Sequence, residues 1–124
     1  MEVRVYYEDI DIGGIVYHSK YLNFCERARS EIFFARGLSP KLGEYHFVVK
    51  SLEAHYHKPA FLGDILKVET KLLDIKGAVV RLHQQVKKEQ TLCFEMEIAL
   101  VCMRGFRPVR PPREFAEVFQ SVQN

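Results

Sequence analysis

Four long strand-like segments follow one another between residues 46 and 104, and only one long helical pattern precedes them. That ratio constrains the fold more than any other feature of the chain. "HFVVKSLEAHYHKPA" reads as extended up to Pro59, and "DILKVETKLLDI" alternates through Ile65, Leu66, Val68, Thr70 and Leu72. "AVVRLHQQVKK" and "TLCFEMEIALVCMR" continue the run, joined by turns at Lys76-Gly77 and at "KKEQ". "EVRVYYED", residues 2–9, alternates polar and apolar residues and is rich in β-formers, which predicts a further strand. The helix is predicted over 19–36. There Tyr21, Cys25, Ala28 and Ile32 recur at four- and three-residue steps, Ser19 stands as N-cap, and Gly37 and Pro40 mark the end. A second, short helix opens on prolines and sets Phe115, Val118, Phe119 and Val122 at helical spacing.

Consecutive strands without intervening helices pair antiparallel, so the expected class is α+β, a mostly antiparallel sheet wrapped on one helix. One helix covers a five-stranded sheet only partly, and a long bare edge invites pairing with another chain. An edge-to-edge dimer resolves this.

With 124 residues the chain holds one domain with a real core, taken as 1–124. Apolar residues make up 48% and charged residues 27%, which excludes a disordered chain. A net charge of +2 with interspersed signs gives no reason to expect nucleic-acid binding. No apolar run is long enough to span a bilayer and no secretory leader is evident, so a cytoplasmic location is expected. Cys25, Cys93 and Cys102 form neither a CxxC pair nor a metal-type pair, which argues against a disulfide framework or a zinc site.

Chemistry concentrates in "VYYEDIDIGGIVYHSKYLNF", where Glu8, Asp9 and Asp11 precede Gly13-Gly14 and the helix. Carboxylates beside an apolar run are costly to desolvate, so this is either a solvated turn or a cleft that holds an acid for reaction. The first amides of a helix are free to donate hydrogen bonds and lie at the positive end of its dipole. A carbonyl oxygen placed there is polarised, and a nearby carboxylate can attack the carbonyl carbon or activate water.

The same residues carry a family resemblance. Asp9 and Asp11, Gly14, Val16-Tyr17-His18, Tyr21-Leu22 and Glu26-Arg27-Ala28-Arg29 stand in the order found at the opening of the hotdog-fold acyl-CoA thioesterases. Within them the chain most resembles the Tol–Pal-associated YbgC-type branch, related to 4-hydroxybenzoyl-CoA thioesterase. The likeness continues in "HYHKPAFLGD" and "EMEIALVCMRGFRPVRPP" and covers nearly the whole chain. It implies a hotdog fold, a dimer with active sites at its interface, and pairing of dimers into tetramers. It also implies hydrolysis of an acyl-CoA thioester to free acid and coenzyme A.

By the same resemblance Asp11 is nucleophile or general base, and His18 supplies the backbone N–H that polarises the carbonyl. Tyr7 is a candidate to bond the carboxylate or the substrate. Gly14, Val16 and Tyr17 of the motif, with Lys58, Pro59 and Lys76, are candidates for substrate binding, the lysines through coenzyme A phosphates. No metal or organic cofactor is implied, since coenzyme A is part of the substrate. Acyl carrier protein is the alternative acyl carrier. The competing reading is a non-catalytic acyl-binding or scaffold protein of the cell-envelope machinery. His46, His55, His57 and His83 read as satisfied strand histidines, and Glu26 as a structural partner of a nearby arginine.

Overall fold

The computed structural model describes residues 1–123. Strands β1 (Glu2–Arg4), β2 (Tyr45–Tyr56), β3 (Ile65–Lys76), β4 (Val79–Lys88) and β5 (Thr91–Arg104) form one antiparallel sheet in the order β1-β3-β4-β5-β2. A two-residue strand, β6 (Arg107–Pro108), attaches to β5. Helix α1 (Lys20–Phe34) lies on the inner face of the curled sheet, and α2 (Arg113–Gln120) closes one end. This is the α+β hotdog arrangement that the sequence predicts. No helix among the described residues is long and apolar enough to cross a membrane.

Alternation decides which face of each strand is inner. In β4 and β5, Val80, Leu82, Val86, Phe94, Met96, Ile98, Leu100 and Cys102 are buried, while Arg81, His83, Lys87, Glu95 and Glu97 point to the outer face. Against this surface α1 buries Tyr21, Cys25 and Ala28 as its period predicts, with Ile32 half-buried. It also buries Phe24 and Phe33, which lie beside the predicted stripe, because a curled sheet meets more than one line of the helix. The ring of Phe33 stands edge-on to Phe115 and Phe119 of α2, with centroids 5.3 and 5.4 Å away, an arrangement the ring quadrupoles favour.

Two expectations need correction. The first strand stops at Arg4 rather than Asp9, and Tyr7–Asp9 forms a single 3₁₀ turn. Its cause is Asp9, whose Oδ2 accepts the Tyr6 N–H at 2.8 Å and closes the backbone on itself. The helix occupies Lys20–Phe34 rather than 19–36, and Ser19 makes no side-chain cap, its backbone being already helical. Gly37, by contrast, does adopt a positive φ, 71°, and Leu38 N–H reaches back to the Phe33 carbonyl. Strand β2 carries a bulge between Val49 and Ser51, so strict alternation fails along it. Phe47 and Val49 before the bulge share the inner face with Leu52, Ala54 and Tyr56 after it, each paired with a buried residue of β5.

One polar side chain sits in the middle of the core. Gln84 on β4 is fully buried, and its amide donates to the Cys25 carbonyl of α1 and to Thr70 Oγ1 of β3, both at 2.9 Å. Its carbonyl accepts from the Arg29 guanidinium at 3.0 Å. The group therefore fixes the height and rotation of α1 on the sheet, which apolar packing alone leaves looser. Gln84→Ala leaves Arg29 without its acceptor and opens a void. It is expected to lower the unfolding free energy by about 1–3 kcal/mol, measured by urea titration.

Candidate active site

The acids sort into two roles. Asp9 is buried, and besides its bond to Tyr6 it places Oδ1 3.5 Å from Lys20 Nζ at the start of α1. Its carbonyl accepts the Tyr17 N–H at 2.8 Å. It is a brace between the 3₁₀ turn and the helix entry. Asp11 instead lies at the mouth of a tight loop. Its N–H donates to the Ile15 carbonyl at 2.9 Å, and its Oδ1 accepts the Gly13 N–H at 2.8 Å. The other carboxylate oxygen, Oδ2, bonds none of the described residues.

The paired glycines answer separate needs. A Cβ on Gly13 would lie 3.2 Å from Asp11 Oδ1, and Gly14 has φ +85°, the left-handed region that other residues avoid. Val16 is buried and anchors the loop through its N–H to the Ala60 carbonyl at 2.9 Å.

Asp11 lines a cavity of about 360 Å³ together with Ile15, Val16, His18, Tyr21, Tyr56, His57, Lys58 and Pro59. Five residues picked out in the sequence thus converge: Asp11, Val16, His18, Lys58 and Pro59. Gly14 and Tyr17 shape the loop without lining the cavity, Tyr17 stacking on the His18 ring with centroids 4.4 Å apart. Tyr7 does not join them; it is 82% exposed on the 3₁₀ turn. Lys76 ends β3 in register with Val79 and, through it, Val101 and Val48. Within one chain that row is at the opposite end of the sheet from Tyr56 and Phe94.

His18 stands two residues before the first residue of α1. Among the described residues nothing accepts its backbone N–H, which is therefore available at the positive end of the helix. Its carbonyl accepts the Tyr56 hydroxyl at 2.8 Å. Four wall residues, Ile15, Tyr21, Tyr56 and His57, are not among the site residues that the sequence singles out. For Tyr56 the reason is the β2 bulge, which breaks the parity from which its face could be inferred. Burial pushes the Tyr21 phenol up to about 12 and raises that of Tyr56, so both remain protonated donors near neutral pH. Burial also pushes the Cys25 thiol up to about 12, beneath a fully covered side chain. It is no nucleophile.

The histidines behave as strand residues. His57 and His83 share the carboxylate of Glu95 on the outer face, at 2.8 and 3.0 Å, and His46 bonds the Glu44 carbonyl at 3.1 Å. Among the described residues no group of three or more His, Cys, Asp or Glu is arranged to hold a metal ion. Glu26 bonds Ser30, at 3.5 Å, rather than an arginine.

A loop carboxylate and a helix-entry residue whose amide has no acceptor among the described residues thus line one cavity, on a sheet curled around one helix. The sequence model of the thioesterase-like superfamily matches residues 5–119, and the chain belongs to that family. It is 35% identical to the acyl-CoA thioesterase YbgC of Helicobacter pylori strain J99, over 98% of this chain and all of the relative. It is 39% identical to the acyl-CoA thioester hydrolase YbgC of Escherichia coli O6:H1, over 82% of this chain and 78% of that protein. Among solved structures, a Thermus thermophilus thioesterase complexed with coenzyme A and zinc superposes with a TM-score of 0.82. The two are 25% identical, over 98% of this chain and 92% of that one.

The bonds of His83, then His57, to Glu95 hold that carboxyl below its usual range. A depressed carboxyl pKa stabilises the fold above the unfolded value of about 4.5, and that contribution is lost as pH falls through the folded value. Urea midpoints measured from pH 6 down to pH 3 are expected to fall less steeply for Glu95→Gln than for the unaltered protein.

Proposed function

We propose that this protein is an acyl-CoA thioester hydrolase in which Asp11 acts on a thioester carbonyl held at the His18 N–H. The observation that carries the reading is the pairing, in one cavity, of a carboxylate with an open oxygen and an amide with no acceptor. As attack proceeds, the carbonyl oxygen gains negative charge, which a fixed N–H and the α1 dipole stabilise. Two routes use these same parts. As nucleophile, Asp11 adds to the carbonyl carbon, the carbon–sulfur bond breaks, and the thiolate leaves and takes a proton from solvent. Water then hydrolyses the resulting anhydride. As base, Asp11 takes a proton from water, the hydroxide adds, and the departing thiolate is protonated in turn. Single turnover in H₂¹⁸O identifies the anhydride route when label appears in the Asp11 carboxylate, which requires water to add at the Asp11 carbonyl carbon of the anhydride; the base route puts all label in the released acid.

Lys58 has no carboxylate partner among the described residues and stands at the cavity, where its flexible cation suits a coenzyme A phosphate. Coenzyme A enters as substrate, and the proposed steps use only side chains and amides of the chain.

Thiol release from acyl-CoAs of graded length tests the reading. Asp11→Asn keeps an oxygen to accept the Gly13 N–H, so the loop is expected to survive while kcat falls by roughly 10² or more. His18→Ala keeps the backbone N–H, and its loss is expected to stay within about tenfold. Equal activity in Asp11→Asn and the unaltered protein overturns the mechanism, and binding without turnover in both favours the scaffold reading.

The second arm of the proposal is a dimer through β2. This strand ends the sheet with twelve residues and an unpaired side, whereas the other edge, β1, has three. Val48, Val49 and Leu52 along it are all more than a third exposed. Pairing two such edges continues the sheet and removes the hazard. It covers the inner-face part of β2 that α1 does not reach. Leu52→Arg is expected to shift the sedimentation coefficient from dimer to monomer.

A further inference from the structure

We infer that Tyr56 is a positioning residue for the carbonyl-polarising amide: its hydroxyl, by holding the His18 carbonyl, ties the peptide next to the free His18 N–H to the end of β2 and so fixes where that amide stands in the cavity. The inference rests on the thioesterase reading above and extends it to a residue outside the Asp–Gly motif.

Tyr17 to Ser19 precede the first residue of α1, although Ser19 already has helical φ and ψ. Leu22 N–H bonds the Ser19 carbonyl at 3.1 Å, so the His18 carbonyl is left without a helical partner. A residue in that position is free to rotate about its backbone unless something outside the helix holds it. Here both flanking peptides are held. The His18 N–H shares its planar peptide with the Tyr17 carbonyl, which accepts the Lys20 N–H at 2.9 Å, and in the peptide upstream the Tyr17 N–H donates to the Asp9 carbonyl at 2.8 Å. On the downstream side the single bond is from Tyr56, at 2.8 Å. The Tyr17 carbonyl sets the direction of the His18 N–H, the two flanking bonds fix its place, and among the described residues nothing accepts it.

Tyr56 is suited to the task. It ends β2 opposite Phe94 of β5, and its ring packs edge-on against Tyr21 at 5.8 Å and Phe94 at 5.0 Å. The hydroxyl is thus delivered from a paired strand, 38 residues away in sequence, rather than from the loop that it steadies. Its phenol is raised by burial, which keeps it a donor through the working pH range. The Asp9 brace ties the same segment to the Asp11 loop, so Tyr56 and Asp9 together hold amide and carboxylate in one frame. Small misplacements of reacting groups cost large factors in rate, which is what such a frame prevents.

Tyr56→Phe keeps the ring and removes the hydroxyl. The expected result is a kcat lower by roughly tenfold or more, below the 10²–10³ that deleting an oxyanion donor itself costs. KM and the affinity for a non-hydrolysable thioether analogue of the substrate should stay within about threefold, because only the transition state needs the aimed amide. Affinity for a trifluoromethyl-ketone analogue, which forms the oxyanion, should fall by the same factor as kcat/KM. A purely structural tyrosine would lower thermal stability and weaken both analogues alike. As a second probe, 3,5-difluorotyrosine at position 56 lowers the phenol pKa into the assay range. Its kcat should drop as pH rises through that value, when the phenolate can no longer donate.

Unchanged kcat in Tyr56→Phe, equal losses for both analogues, or a flat pH profile for the fluorinated protein each overturn the inference. Asp11→Asn in the same assays keeps the two claims apart. If it is inactive while Tyr56→Phe is fully active, the positioning role alone fails. If Asp11→Asn is as active as the unaltered protein, the reading beneath it fails as well.

Discussion

The burial of α1 against the inner face of the sheet is the interaction on which the remainder of the molecule depends. Five strands have one long helix against their inner face, and Tyr21, Phe24, Cys25, Ala28 and Phe33 are its buried contribution. Full burial of a phenylalanine is worth about 1.5–3 kcal/mol, so the apolar face supplies the adhesion. Apolar contact does not by itself choose a height or rotation. That choice comes from Gln84, whose amide bonds the helix and two other side chains from within the core. A buried amide is costly unless every polar atom is satisfied, and here the satisfied arrangement exists in one placement of α1.

That placement has a chemical consequence. The N-terminal end of α1 meets the Asp11 loop and the end of β2, three segments distant in sequence. The loop is clamped to residues 60 and 61 through Val16 and Ile15, and to the helix entry through Asp9. Loops are ordinarily the mobile part of a site. Here the loop is tied at one end to the β2–β3 connection and at the other to the helix entry, which holds the Asp11 carboxylate and the His18 amide at one cavity.

The limits of β2 show how one strand serves two purposes. Its inner-face residues beyond the reach of α1 are left partly exposed, and its outer backbone edge is unpaired. The bulge at Val49–Ser51 keeps Tyr45, Phe47 and Val49 on the same face as Leu52, Ala54 and Tyr56, despite the extra residue. Without it, a strand of this length would turn Tyr56 away from the cavity.

Much of this was legible in the amino-acid order. The helical period, the succession of alternating segments and the Gly37 stop placed the main elements within a few residues of where they lie, because local period and turn chemistry act over short distances. The acid–glycine motif led to Asp11 and His18, and through Lys58-Pro59 to part of the cavity wall. What local pattern could not show was any feature set by a distant partner. The 3₁₀ turn that ends β1 depends on the Asp9 carboxylate folding back to Tyr6, a choice that strand propensity does not encode. Tyr7 was counted with the site as a strand neighbour of Asp11, and the turn sends it to solvent. Lys76 was counted for its charge, and the sheet register carries it to the far end.

The sequence alone therefore determined the class of fold and, through its family resemblance, singled out Asp11 as the candidate acid, since periodicity and motif are properties of neighbouring residues. Only the tertiary structure decided the roles of Asp9, Gln84 and Tyr56. Each acts through a hydrogen bond to a group whose position is fixed by how strands and helix pack, and no spacing along the chain records that distance.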